Sequence, residues 1–388
     1  MRKIALDADP GVADAVTLAF ALFDPDVEIV AATSVGGCVD SRTSARNLQS
    51  LVAFLDPPRL PRVGVGDEPF APPQISKSAR PFKPNQPFQS SQLPQPSQSS
   101  RSTKSAQSFG ATGRRVSTEE NRDVFPIIKD GGENERGEPF FDDFGGFALP
   151  VVELRAPRSA ATILRDAVRS HPRETSILAL GPLTNVARAF RRDPELPLLV
   201  DRLVVAGGGR PSTARTTTAE FNVFCDPQAA RFVFQSPCAK TFVPVDAASE
   251  LVFSFDDLTA LDPRGAVVGE FLRSALLDAL RFRRRSLGSE VVCLQEFAAY
   301  FALVEPRFFS TVDAESLDEI CGAATRDVEF DLDLDLDFES SFEFASRPPR
   351  RRRRDVEIVR KIDADAVRGK IVDGLRRIVD ATRRRDAR

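Results

Sequence analysis

Three carboxylates stand close together at the start of the chain: Asp7, Asp9 and Asp14, in the stretch Asp7-Ala8-Asp9-Pro10-Gly11-Val12-Ala13-Asp14. The apolar run over residues 3–8 reads as a short strand, and Asp9-Pro10-Gly11 breaks it. Residues 14–23 (DAVTLAFALF) then carry apolar side chains at helical spacing. The acids therefore gather where a first strand passes into its helix, the place where open α/β sheets bind their ligands. Carboxylates converging there repel one another unless a cation holds them, and hard oxygen donors suit Ca2+ or Mg2+. Capping of the helix N-terminus accounts for the same acids equally well, because negative charge is favoured there too.

The elements that would position these acids follow in order. Residues 27–33 (VEIVAAT) read as a second strand, which completes a strand–helix–strand unit of the kind that builds a parallel sheet. A helix over 44–55 and a strand over 62–65 continue it. From about 71 to 137 the chain is dominated by Pro, Ser, Gln, Arg and Lys. Too little apolar surface is present there to offset the entropy of ordering, so a disordered insertion is expected. Alternation then resumes with helices over 159–170, 183–190, 227–235 and 267–287, and strands over 176–180, 202–206 and 240–245. A stretch alternating acids with Leu or Phe leads into Arg350–Arg354, so 327–354 reads as an acidic/basic loop or an edge strand. An amphipathic helix over 363–379 closes the chain. One α/β domain spanning 1–388 is expected, an open and mostly parallel sheet with flanking helices.

Composition narrows the chemistry. With 388 residues, 42% of them hydrophobic, a sizeable core is available. A net charge of −3 gives no global attraction to nucleic acid or to an anionic membrane, so neither is expected as a partner. No apolar run is long enough to cross a bilayer, and Asp7 arrives before a signal-peptide core could form. The five cysteines are scattered without a C-x-x-C pair, which argues against zinc or a disulfide framework and for a reducing, cytoplasmic setting. The single histidine, His171, falls between a helix and a strand on the face away from the pocket, and reads as a surface loop residue.

Four segments in register add a family resemblance. DADPGVADA resembles the D-x-D-P-G-x-D-D-A start of the inosine–uridine-preferring nucleoside hydrolases. Leu180-Gly181-Pro182-Leu183-Thr184-Asn185-Val186-Ala187 resembles that family's L-G-P-L-T-N-I-A. Ala219-Glu220-Phe221-Asn222 with Asp226-Pro227-Gln228-Ala229-Ala230 is similar to A-E-F-N…D-P-E-A-A, and Val243-Pro244-Val245-Asp246 matches the strand that follows. The resemblance covers about residues 1–310 and implies a Rossmann-like core. It implies Ca2+-dependent hydrolysis of the N-ribosidic bond of a small-molecule nucleoside, releasing ribose and base, in a protein that can form homo-oligomers. It implies Asp9 as metal ligand and general base, Asp14 as a second ligand and the Leu180 carbonyl as a backbone ligand. Glu220 and Asn222 match groups that bond the ribose hydroxyls, and Asp7 matches an aspartate that orients the loop.

The departures from the family pattern lie in the same segments. Ala13 replaces one of two adjacent aspartates, Cys38 stands where an asparagine points into the pocket, and Ala214 replaces a ribose-binding asparagine. Phe141-Asp142-Asp143-Phe144-Gly145-Gly146 lacks the histidine of H-G-x-D-G-L-G. Gln295-Glu296 occupies the place of His-Asp: Glu296 can still ligate the ion, whereas Gln295, kept as a substrate-facing residue, cannot donate a titratable proton. Cys38 has no histidine partner and reads as a pocket-wall residue rather than a nucleophile. A divergent hydrolase is the favoured reading, because Asp9, Asp14, Glu220, Asn222 and an acid at 296 remain. A binding protein of the same fold that has lost the rate is the alternative. Haloacid dehalogenase-type phosphatases also open with D-x-D, but their scheme has no place for the L-G-P-L-T-N and A-E-F-N segments.

Overall fold

A computed structural model describes residues 1–37, 39–66, 144, 147, 149–150, 152, 157–207, 221–259, 263–314 and 356–387. Cys38, Ala214, Glu220, the 71–137 insertion and the 327–354 stretch lie outside the described residues.

The chain begins with β1 (Arg2–Ala8), α1 (Val12–Phe23), β2 (Val27–Ser34), α2 (Ser41–Leu55) and β3 (Arg62–Val65). It continues with α3 (Ala160–Ser170), β4 (Thr175–Ala179), α4 (Thr184–Arg192), α5 (Leu196–Leu199) and β5 (Leu203–Ala206). Next come α6 (Phe221–Cys225), α7 (Pro227–Gln235), β6 (Lys240–Val243), α8 (Val245–Ala248), β7 (Val252–Ser254) and α9 (Phe255–Thr259). The remainder is α10 (Val267–Leu287), β8 (Val291–Cys293), α11 (Gln295–Val304), β9 (Phe309–Asp313), β10 (Val356–Ile362) and α12 (Ala364–Asp386).

Eight strands form one sheet in the order β3-β2-β1-β4-β5-β6-β10-β9, parallel throughout except that β9 runs against β10. β7 and β8 form a separate antiparallel pair. The strand order reverses between β1 and β4, so the switch point lies at the carboxyl end of β1, where Asp9 stands. Central strands are covered on both faces, and successive side chains serve opposite cores. Ile4 and Leu6 of β1 join the core beneath α1, α2, α10, α11 and α12, while Ala5 joins the one beneath α3, α4 and α7.

The expected open parallel sheet with flanking helices is present, with differences at particular elements. The strand expected over 240–245 stops at Val243, because Pro244 caps the short helix α8 that takes in Val245 and Asp246. The closing helix runs on from 379 to Asp386; its last turn carries Arg383, Arg384 and Arg385, a charge that favours a helix C-terminus. β9, β10 and the β7–β8 pair were not anticipated. Leu180 falls just after β4 rather than within it. His171 caps the C-terminus of α3 and precedes β4, at the end of the sheet opposite Asp9, as expected.

Candidate active site

Two backbone hydrogen bonds fix the end of β1 between its neighbours. The Val35 N–H donates to the Ala8 carbonyl at 2.8 Å, and the Leu180 N–H donates to the Asp7 carbonyl at 2.8 Å. The chain leaves the sheet at Asp9-Pro10-Gly11, and Asn47 of α2 donates to the Pro10 carbonyl at 3.2 Å, which holds the break in place. Asp9 itself is only 2% exposed. Its carboxylate sits between two glycines: a Cβ on Gly37 would lie 2.1 Å from Oδ2, and one on Gly181 would lie 2.6 Å from Oδ1. The loops after β2 and β4 thus form a seat that only glycine backbones leave open.

Asp14 stands in the first turn of α1 and is buried. The Gly11 N–H donates to its Oδ2 at 3.3 Å, whereas its Oδ1 is buried without a hydrogen bond. Burial pushes this carboxyl up to about 6, against the pull of the Gly11 N–H. A buried carboxylate oxygen with no donor is costly unless a proton or a cation meets it.

Asp7, two residues before Asp9, serves a different purpose. Its Oδ1 accepts from the Thr33 hydroxyl at 2.6 Å and from the Asn185 amide at 2.9 Å. Asn185 also donates to the Ser34 carbonyl at 2.8 Å, so one amide ties β1, β2 and the start of α4 together. Burial raises the Asp7 carboxyl to about 7, although both hydrogen bonds pull it down. Asp7 therefore orients the loop from behind.

Leu180 and Asn222 meet directly. Asn222, in the short helix α6, donates from Nδ2 to the Leu180 carbonyl at 2.8 Å and to the Ala206 carbonyl at 2.9 Å. The ends of β4 and β5 are thereby bridged beside Asp9. A carbonyl oxygen has two lone pairs, so that of Leu180 can accept this bond and still face a cation. Gln295 is 4% exposed and donates from Nε2 to the Val243 carbonyl at 2.8 Å, which fixes the start of α11 to the end of β6. Glu296 follows in the first turn of α11. Among the described residues no three Asp, Glu, Cys or His side chains gather into a metal-binding group, so Glu296 does not join Asp9 and Asp14 in one cluster. The described oxygen donors nonetheless fit a hard cation at the β1–α1 turn: the seated Asp9 carboxylate, the buried Asp14 Oδ1 and the Leu180 carbonyl.

A model of the inosine-uridine preferring nucleoside hydrolase family matches residues 4–369. The chain belongs to this family. It is thereby an N-glycosidase of ribonucleosides, in a family of metal-dependent enzymes. A probable uridine nucleosidase of Oryza sativa subsp. japonica is 27% identical over 317 residues, which cover 79% of this chain and 78% of that protein. A non-specific ribonucleoside hydrolase of Salmonella agona is 27% identical over 307 residues, covering 79% of this chain and 80% of that protein. Among solved structures, a purine-preferring ribonucleoside hydrolase from Gardnerella vaginalis superposes with a TM-score of 0.66. That likeness spans 98% of this chain and 100% of the other at 17% identity, and it bears on the fold alone.

Several residues of this nucleoside hydrolase site carry roles that the sequence reading did not assign. Gly37 and Gly181 set the Asp9 seat, Thr33 and Asn185 hold Asp7, and Asn47 holds Pro10. Asn185 lies within the quoted L-G-P-L-T-N segment, and a polar residue at the buried start of an otherwise apolar helix face was the available signal.

Proposed function

We propose that the chain hydrolyses ribonucleosides with a divalent cation, Ca2+, held at the turn between β1 and α1. Asp9 and Asp14 with the Leu180 carbonyl would hold the ion, and Glu296, which stands outside that group, is assigned as a further acid on the α11 side. The observation that carries this reading is the Asp14 Oδ1, buried without a hydrogen bond in the helix turn that follows the glycine-seated Asp9. When bound, the cation supplies a lowered pKa for the attacking water and polarises the ribose hydroxyls.

The protein's own groups do the rest. Asp9, fixed between Gly37 and Gly181, takes the proton of the attacking water as general base. Asn222, whose Nδ2 donates to the Leu180 and Ala206 carbonyls, is assigned to a ribose hydroxyl. Glu220, two residues earlier, is assigned the second ribose contact, and Cys38 a place in the pocket wall. Gln295 is assigned to the substrate side of α11, where its amide binds without exchanging a proton. The ribosyl group passes through an oxocarbenium-like state, as in other glycoside hydrolyses.

The substrate is a small-molecule nucleoside, with inosine and uridine the first to try given the preference that names the family. A reducing cytoplasm fits the free thiols of Cys238 and Cys293, and assembly with further copies of the chain is part of the same proposal. No helix among the described residues is long and apolar enough to cross a membrane.

The test is release of free base from inosine, uridine, adenosine and cytidine, followed by ultraviolet absorbance with and without a chelator. Base release that stops with chelator and returns with added Ca2+ is expected. An undiminished rate in chelator would remove the cation from the reading, and absence of release from every nucleoside would remove the hydrolase.

A further inference from the structure

A buried pair outside the reacting groups joins the two segments that carry Asn222 and Leu180. Thr184, the first residue of α4, lies four residues after Leu180 and is fully buried. Its hydroxyl donates to Asp226 Oδ2 at 2.6 Å, the usual length of a charge-assisted hydrogen bond from a hydroxyl to a carboxylate. Asp226 is likewise fully buried and sits between α6 and α7, four residues after Asn222. Its other oxygen, Oδ1, accepts from the Ala229 N–H at 2.9 Å and so caps α7. The Arg191 guanidinium of α4, stacked over the Phe232 ring of α7 at 5.1 Å, adds its charge to the same carboxylate.

The loop 180–184 and the segment 222–226 are thus tied twice, by Asn222 to the Leu180 carbonyl at one end and by Thr184 to Asp226 at the other. α6 has only five residues, too few to hold its own orientation, and the tie at its C-terminal end fixes its direction. We infer that Thr184 and Asp226 are positioning residues of the hydrolase: their hydrogen bond sets α6 so that Asn222 meets the Leu180 carbonyl and faces the ribose. This rests on the proposed role of Asn222. Neither residue touches substrate, and both act through the backbone they fix.

The test pairs Thr184→Val, which keeps the bulk and removes the hydroxyl, with Thr184→Ser, which keeps the hydroxyl. Crystal structures of both are compared with the wild type, and kcat and KM for base release are measured on each Ca2+-supplemented protein. Thr184→Val is expected to move Asn222 Nδ2 out of hydrogen-bond distance of the Leu180 carbonyl and to lower kcat/KM about a hundredfold. Thr184→Ser is expected to keep the contact and most of the rate. If Thr184→Val does not fold, Thr184→Cys, with a similar bulk and a weak S–H donor, replaces it, with a smaller displacement and loss expected. An unmoved Asn222 in the valine or cysteine protein overturns the inference, even where the melting temperature falls. So does an equal loss of rate in Thr184→Ser. Should the wild type release no base, the hydrolase reading fails, while the Asn222 to Leu180 distance still decides the positioning role.

Discussion

Replacing Gly37 with alanine places a methyl group where the Asp9 carboxylate now lies. The added carbon would stand 2.1 Å from Oδ2 and 2.8 Å from Cγ, with Asp9 Cβ at 3.0 Å. Non-bonded heavy atoms rest at roughly 3.5 Å, so the carboxylate must retreat by more than about 1 Å or the β2–α2 loop must open by as much. A displacement of about 1 Å in a reacting group costs on the order of a hundredfold in rate. Overpacking of this kind also costs about 1–3 kcal/mol of stability, which leaves the protein folded. The same change at Gly181 meets Asp9 Oδ1 at 2.6 Å and the Val35 side chain at 2.8 Å, so the retreat is smaller and the loss should be smaller too. The assay is kcat/KM for base release from the best nucleoside, alongside thermal denaturation to establish that each variant is folded. Gly37→Ala is expected to be the more damaged of the two, with kcat affected more than KM. A Gly37→Ala protein with wild-type kcat/KM would refute the seat as the device that places Asp9.

Two further changes address stability rather than chemistry. Burial holds the proton on Asp7 up to about pH 7, whereas the unfolded carboxyl releases it near its ordinary 3.8. The folded state therefore binds the proton more tightly, and this contribution is complete below about pH 3.8 and lost as pH rises through 7. A shift of that size corresponds to about 4 kcal/mol at most, so urea unfolding in chelator should show Asp7→Asn losing much less stability than wild type between pH 5 and pH 8. Parallel pH profiles for the two proteins would contradict a buried, proton-holding Asp7. On α12, a Cβ at Gly374 would lie 2.1 Å from the Phe20 ring, itself packed edge-on against Phe297, Tyr300 and Phe301. Gly374→Ala should lower stability by about 1–3 kcal/mol in calorimetry while kcat/KM stays unchanged, and an unchanged melting temperature would count against that packing.

The sheet from β1 to β6 was legible because buried parallel strands are short apolar runs between turn residues, as in residues 3–8 and VEIVAAT. β10 was hidden: Arg360 and Lys361 lie within it, and it reaches β6 only by pairing across more than a hundred residues of chain. β9 is short, polar and largely exposed, so nothing in its composition marks it as a strand. At the site, Asp9 and Asp14 announced themselves as acids at a strand-to-helix turn. Their environments did not, since Asp7 and Asp9 are the same residue type two positions apart and have different surroundings. Asp7 meets Thr33 and Asn185 from two other elements, and Asp9 meets two glycines. The Asn222 amide was readable as a polar group near the pocket, but its bonds to Leu180 and Ala206 depend on how α6 is held across the ends of β4 and β5.

The most direct test of the cation at the β1–α1 turn is calorimetric titration of Ca2+ into the metal-stripped protein and into Asp9→Ala, with base release followed in the same samples. Saturable Ca2+ binding by the wild type that accompanies nucleoside hydrolysis, with both lost in a folded Asp9→Ala protein, is the predicted result. Nucleoside hydrolysis by a wild type that binds no Ca2+, or by Asp9→Ala at the wild-type rate, would contradict it.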